Sequence, residues 1–99
     1  MFGLCDNDIE KLYSVFVRFP EVEEVVLYGS RAKGNYCDHS DIDLTMRGNR
    51  LDGTISDKVA LALDDLLLPY MIDLSVYHQL DNPDLIEHIN RVGKTFYKK

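Results

Sequence analysis

The stretch Tyr28-Gly-Ser-Arg-Ala-Lys-Gly34, followed after a polar interval from Asn35 to Ser40 by Asp41-Ile-Asp-Leu44, decides how this chain is read. Upstream of it, Val25, Val26, Leu27 and Tyr28 form a β-prone run that stops at Gly29, so a strand enters a tight bend. Ser30 to Gly34 has room for one helical turn. Downstream, Ile42, Leu44 and Met46 alternate with Asp41, Asp43 and Thr45, the period-two pattern of a strand with one buried face. Residues two apart share a face, so Asp41 and Asp43 stand side by side while Ile42 and Leu44 face the core. Unpaired, those carboxylates repel. A hard cation such as Mg²⁺ between them offsets the repulsion, and its preference for oxygen ligands suits carboxylates.

Gly29 and Ser30 sit where a strand becomes a helical turn, which offers backbone N–H groups and the positive end of a helix to a phosphate. The Ser30 hydroxyl adds a donor, and Arg31 and Lys33 add local positive charge. The two halves of the stretch therefore read as a phosphate cradle facing a metal site. Neither the P-loop pattern nor the dinucleotide glycine fingerprint is present.

Working outward, Asn7 or Asp8 can cap a first helix whose apolar positions Ile9, Leu12, Tyr13, Phe16 and Phe19 fall three or four apart before Pro20. Thr54 or Ser56 can cap a later helix with the stripe Val59, Leu63, Leu66 and Leu67, ended by Pro69. Met71 to Tyr77 then alternates as a third strand, with Ile72, Leu74 and Val76 on one side and Asp73 and Ser75 on the other. Asp73, in an otherwise apolar strand, is a third carboxylate that calls for a partner or a metal. Asn82-Pro83 opens a last helix with Leu85, Ile86, Ile89 and Val92 inward, Gly93 closes it, and Lys94 to Lys99 reads as a short basic tail. The order is helix, strand, turn, strand, helix, strand, helix, an α+β arrangement for which a three-stranded sheet backed by helices is the simplest packing.

Ninety-nine residues suit one domain spanning 1–99, and 45% apolar with 28% charged residues is ordinary for a soluble fold. Eleven Lys and Arg against seventeen Asp and Glu leave a net charge of −6, which argues against a broad nucleic-acid or anionic-membrane footprint. Cys5 and Cys37 form no close-spaced pair and read as reduced thiols. No apolar run approaches the roughly 20 residues that span a bilayer, and a cytoplasmic location is the expectation. His39, His78 and His88 are not spaced as metal ligands and receive no role; Asp64 and Asp65 read as the solvated side of a helix. Tyr28 and Tyr36 flank the cradle, where either could stack on a base or simply pack.

The combination of Gly29-Ser30, ten intervening residues, Asp41-x-Asp43 and a later Asp73 within Met71-Ile-Asp-Leu-Ser resembles the signature of the DNA polymerase β-like nucleotidyltransferase superfamily. The short length and the ending Ile89-Asn-Arg-Val-Gly-Lys are similar to its minimal nucleotidyltransferase (MNT) members. The resemblance implies a nucleotidyltransferase fold with a mixed sheet in order 1-2-3. It implies two Mg²⁺ ions, replaceable by Mn²⁺, held by Asp41, Asp43 and Asp73, and ATP or another triphosphate as co-substrate gripped by Gly29, Ser30 and Arg31. Asp73 is then the candidate proton acceptor. MNT proteins are often encoded with a HEPN partner, as antitoxin to its RNase toxin, and some modify that partner with AMP. Transfer of a nucleoside monophosphate to a hydroxyl of a HEPN-type protein is accordingly the expected function, in a hetero-oligomer or with a homodimer of this chain. Two alternatives stay open: a non-catalytic antitoxin that blocks its partner sterically, and a small-molecule nucleotidyltransferase completed by another subunit.

Overall fold

The structure, a computed structural model, describes residues 2–34 and 41–99. The expected loop from Asn35 to Ser40, with Tyr36, Cys37 and His39, lies outside the described residues. In chain order the elements are α1 (Asp6–Val17), β1 (Glu24–Tyr28), α2 (Ser30–Lys33), β2 (Ile42–Arg47), α3 (Gly53–Asp64), β3 (Ile72–Val76), a 3₁₀ turn (Tyr77–Gln79), α4 (Pro83–Val92) and β4 (Lys94–Lys98).

The ends of α1 and α3 depart from the sequence reading. α1 starts at Asp6, with Cys5 rather than Asn7 or Asp8 in the capping position, and Asp6 and Asp8 instead place negative charge in its first turn. α3 is capped by Asp52, whose carboxylate accepts the Ile55 N–H at 2.8 Å, and not by Thr54 or Ser56. It stops at Asp64, well before Pro69, so Leu67 falls off the expected stripe and is 88% exposed. α4 follows the sequence closely, with Pro83 in its first turn and the Asn82 side chain accepting the N–H groups of Asp84 and Leu85. Gly93 closes it for a steric reason: its φ is −63°, but an added Cβ would come within 2.4 Å of the Ile89 carbonyl oxygen.

The main correction concerns the sheet, which has four strands in the order β3-β2-β1-β4 rather than three in the order 1-2-3. It is mixed: β1 pairs antiparallel with β2 and β4, and β2 pairs parallel with β3. The segment that read as a basic tail is the fourth strand. Its lysines at either end mask a Thr-Phe-Tyr centre of strong β preference, and lysines on an edge strand also discourage pairing with another chain. A bulge in the β1–β4 register pairs Val25 with Tyr97 and Val26 with Thr95, leaving Phe96 unopposed. The extra residue turns two successive aromatics towards α1. Phe96 is buried against Tyr13, whose hydroxyl donates to the Phe96 carbonyl at 2.7 Å, and Tyr97 lies beside Phe16 with ring centroids 5.7 Å apart.

Two helices cover one face of the sheet and one covers part of the other. Leu12, Val15 and Phe16 of α1 and Val59 and Leu63 of α3 pack on Val25, Leu27, Ile42, Leu44, Met46 and Val76. On the opposite face, Ile89 of α4 packs with Val26 and Tyr28, so α4 lies over the central strand β1. Among the described residues no helix is long and apolar enough to cross a membrane.

Because Phe96 is 2% exposed inside this core, Phe96→Ala is expected to cost about 3–5 kcal/mol, a large share of a small domain's stability. Urea denaturation checks this, since a mere tail would lose no more than about 0.5 kcal/mol.

Candidate functional site

Register explains why the aspartates meet. Tyr28, the last residue of β1, pairs with Asp43 on β2, and Asp43 pairs with Asp73 on β3. The row Tyr28, Asp43, Asp73 therefore crosses three strands on the face that carries α4, with Asp41 one step beyond β2. α4 shields the β1 end of this row, and the β3 end is open: Asp43 is half-buried, whereas Asp41 and Asp73 are exposed. The expectation that Asp73 is enclosed by its apolar strand is corrected here. β3 is an edge strand, its apolar residues turn to the α3 side, and the face bearing Asp73 meets solvent, so its charge carries little desolvation cost. Among the described residues it has no basic partner at ion-pair distance.

Gly29 makes room for Asp43. At φ +78° it occupies a region L side chains rarely adopt, and a Cβ there would come within 2.2 Å of Asp43 Oδ2. The carboxylate thus lies against the backbone where β1 turns into α2. The Asp43 carboxyl is held above the usual carboxylate range, first by its burial and then by the charges of Asp73 and Asp41, with His88 pulling the other way. That unrelieved repulsion is what a hard cation removes, so the donor set fits a divalent metal in charge and atom type. Among the described residues, however, no three His, Cys, Asp or Glu side chains already stand as a closed cluster.

α2 has only four residues, so its contribution to an anion is local: first-turn amides and the half-buried Ser30 hydroxyl rather than a macrodipole. Gly34, at φ 86°, ends it in the left-handed conformation. Arg31 behaves differently from a free surface cation. It is 2% exposed, donates to the Phe2 carbonyl at 2.8 Å and lies 5.0 Å over the Tyr70 ring. Tyr70 in turn donates to Asp8 Oδ2 at 3.3 Å. Arg31 thereby ties α2 to the N-terminal segment and to the approach to β3, which limits the charge it can present to a ligand.

His88 has no role by its spacing, yet its ring meets that of Tyr28 edge-on, centroids 6.2 Å apart. Tyr28 is itself buried, and its phenol is pushed up by that burial, an effect opposed by a hydrogen bond with Ser75 and reinforced by the nearby Asp73 and Asp43. Its packed position matches the simpler of the two readings made for it. The position of His88, three residues after Leu85 on the inward stripe of α4, was the available signal. A concavity of about 610 Å³, lined by Glu23, Arg50, Lys98 and Lys99 among others, lies at the opposite end of the sheet, by the Glu24–Lys98 pair. The carboxylate row, not that groove, carries the candidate chemistry.

A family model described as polymerase beta, nucleotidyltransferase, matches residues 10–99. No curated protein matches the chain. Solved structures do: a chain of a toxin–antitoxin complex with AMP-PNP is 25% identical, with a TM-score of 0.70 over 97% of this chain and 75% of that one. A chain from the complex of tri-AMPylated Shewanella oneidensis HEPN toxin with MNT antitoxin is 19% identical, with a TM-score of 0.67 over 94% of this chain and 71% of that one. A putative nucleotidyltransferase from Sulfolobus solfataricus is 22% identical, with a TM-score of 0.57 over 92% of this chain and 77% of that one. The two less similar chains speak for the fold alone.

Two variants test the geometry. Gly29→Ala is expected to displace the Asp43 carboxylate and to lower stability by more than about 1 kcal/mol, because both φ and the contact oppose a methyl group. Thermal melting reads the loss. Asp43→Asn is expected to melt higher than the parent at neutral pH without divalent ions. The sign follows from linkage: a carboxyl whose folded pKa lies above its unfolded value destabilises the fold when ionised. The gain should shrink as pH falls through that raised value and vanish below the ordinary aspartate pKa of about 3.9.

Proposed function

The chain belongs to the polymerase beta nucleotidyltransferase family, and from that membership we propose that it is a Mg²⁺-dependent enzyme that transfers AMP from ATP to a hydroxyl of a HEPN-type partner protein, as the antitoxin of that pair. The observation that carries the reading is the seat of Asp43 against Gly29, in register with Asp73. It joins the two halves of the motif in one place. The 25%-identical chain of a toxin–antitoxin complex with AMP-PNP supports a nucleoside triphosphate as ligand and a place in a toxin–antitoxin pair.

In this mechanism Gly29 lets the Asp43 carboxylate lie against the turn, and the Ser30 hydroxyl with neighbouring backbone N–H groups donates to the β and γ phosphates of the triphosphate. Arg31 holds α2 in place from beneath through Phe2 and Tyr70, and its charge supports the phosphates at longer range. Mg²⁺ held by Asp41, Asp43 and Asp73, as two ions or with Mn²⁺ in their stead, would offset phosphate charge and acidify the acceptor hydroxyl. A carboxylate oxygen of Asp73, open to solvent at the β3 edge, accepts the proton of that hydroxyl. Its oxygen bonds to the α phosphorus, and the bond to pyrophosphate breaks in line.

A net charge of −6 disfavours RNA as the acceptor and favours a basic protein surface. The open row of carboxylates suits an acceptor delivered on a macromolecule rather than a metabolite enclosed in a pocket. A tyrosine hydroxyl near the partner's active site is the proposed acceptor; AMP attached there adds a bulky anion that repels RNA phosphates after the two proteins part.

Incubation of this chain and a HEPN-type protein from the same genome with ATP and Mg²⁺ should add one or more AMP masses to the partner. Asp43→Asn or Asp73→Asn should reduce the transfer by orders of magnitude, because a charged ligand is lost where negative charge develops. Intact-mass spectrometry makes the measurement. An unmodified partner that is nevertheless inhibited, and that Asp41→Asn/Asp43→Asn protein neutralises equally well, would replace catalysis with steric blocking.

A further inference from the structure

The connection from α3 to β3 carries two large apolar side chains that the fold does not use. Leu67 is 88% exposed and Met71 75% exposed, whereas Leu66, Leu68 and Tyr70 on the same connection pack against the core. Leu67 also has φ 56°, a left-handed conformation that a leucine adopts at a cost and that asparagine or glycine tolerates better. The left-handed residue ends the turn that follows α3, but folding does not call for an exposed leucine there.

Position supplies the explanation. The Met71 carbonyl accepts the Ile42 N–H at 2.8 Å, and Ile42 pairs with Ile72, so Met71 stands beside Asp41 at the head of the two strands that bear Asp43 and Asp73. On the other flank Leu67 follows the exposed Asp64 and Asp65, its N–H donating to the Asp64 carbonyl at 3.1 Å. Each apolar side chain thus has exposed carboxylates near it in the chain or across the strand pair: Met71 has Asp41 and Asp73, and Leu67 has Asp64 and Asp65. An apolar centre with a charged rim of one sign is the anatomy of an interface that selects a partner of the opposite sign.

We propose that Leu67 and Met71 belong to the docking surface for the basic protein substrate of the nucleotidyl transfer, which covers both apolar side chains while its Lys and Arg residues meet the neighbouring aspartates. The proposal rests on the reading of the chain as a protein-modifying nucleotidyltransferase and names the surface that would bring the acceptor hydroxyl to the carboxylate row. Leu67 and Met71 take no part in metal or nucleotide binding.

The test uses the full chain, a HEPN-type protein of the same genome, and Mg²⁺ with ATP. Leu67→Asn/Met71→Gln removes the apolar centre without altering charge, and asparagine suits the backbone at position 67. Calorimetry should show unchanged Mg²⁺–ATP binding by the isolated variant and at least a tenfold weaker affinity for the HEPN-type protein. Asp64→Asn/Asp65→Asn should slow association and flatten its salt dependence. Circular dichroism confirms that each variant folds. Unchanged partner affinity in Leu67→Asn/Met71→Gln overturns the docking surface while leaving the enzyme reading intact. A parent chain that binds Mg²⁺–ATP but not the HEPN-type protein overturns the choice of partner and this surface with it. A parent that binds neither overturns the enzyme reading as well.

Discussion

Everything at the candidate site depends on the absence of one side chain. The Asp43 carboxylate occupies the volume that a Cβ on Gly29 would fill, at a backbone angle that a side chain would resist. Because β1 and β2 are antiparallel neighbours, that contact fixes where the turn after β1 lies relative to the acidic strand, and so sets Gly29 and Ser30 against Asp43. The parallel pairing of β2 with β3 then carries the relation on to Asp73. A site drawn from three stretches of chain is held by one close approach and one register.

This explains which parts were legible in the sequence. The alternation of Ile42, Leu44 and Met46 with aspartates, the Gly29 bend and the Asn82-Pro83 helix start are local signals, each written within a few residues, and each corresponds to an element in the structure. β4 was not legible, because lysines flank its short aromatic centre and its pairing is with a strand far away in sequence. The bulge at Phe96 hid it further by breaking the alternation that marks a strand. The exposure of Asp73 was also out of reach, since the residues around it say that a strand is apolar on one face but not that it lies at the edge of the sheet.

Arg31 shows a different limit. Next to Gly29 and Ser30, a cation suggests a phosphate ligand, and nothing nearby in sequence reveals that its guanidinium lies over the Tyr70 ring and bonds the carbonyl of Phe2. The charge is used to fasten the N-terminal segment to the turn. His88 is the complementary case, a residue unremarkable in its own helix that becomes part of the acidic row's surroundings only because α4 crosses β1 on that face.

The β1–β4 pairing carries a consequence for how the molecule is made. β1 lies inside the sheet, yet one of its two neighbours arrives late: Glu24 and Thr95, which share a side-chain hydrogen bond, are 71 residues apart. During synthesis the Gly29-Ser30 turn and the aspartate strand leave the ribosome well before β4, and until it arrives one edge of β1 stays unpaired while Phe16 and Tyr13 lack their aromatic cover. The chain therefore emerges with the strands of its carboxylate row already made but not yet locked. The final structure sets only when the lysine-flanked strand closes the sheet, a long-range step of the kind that slows folding.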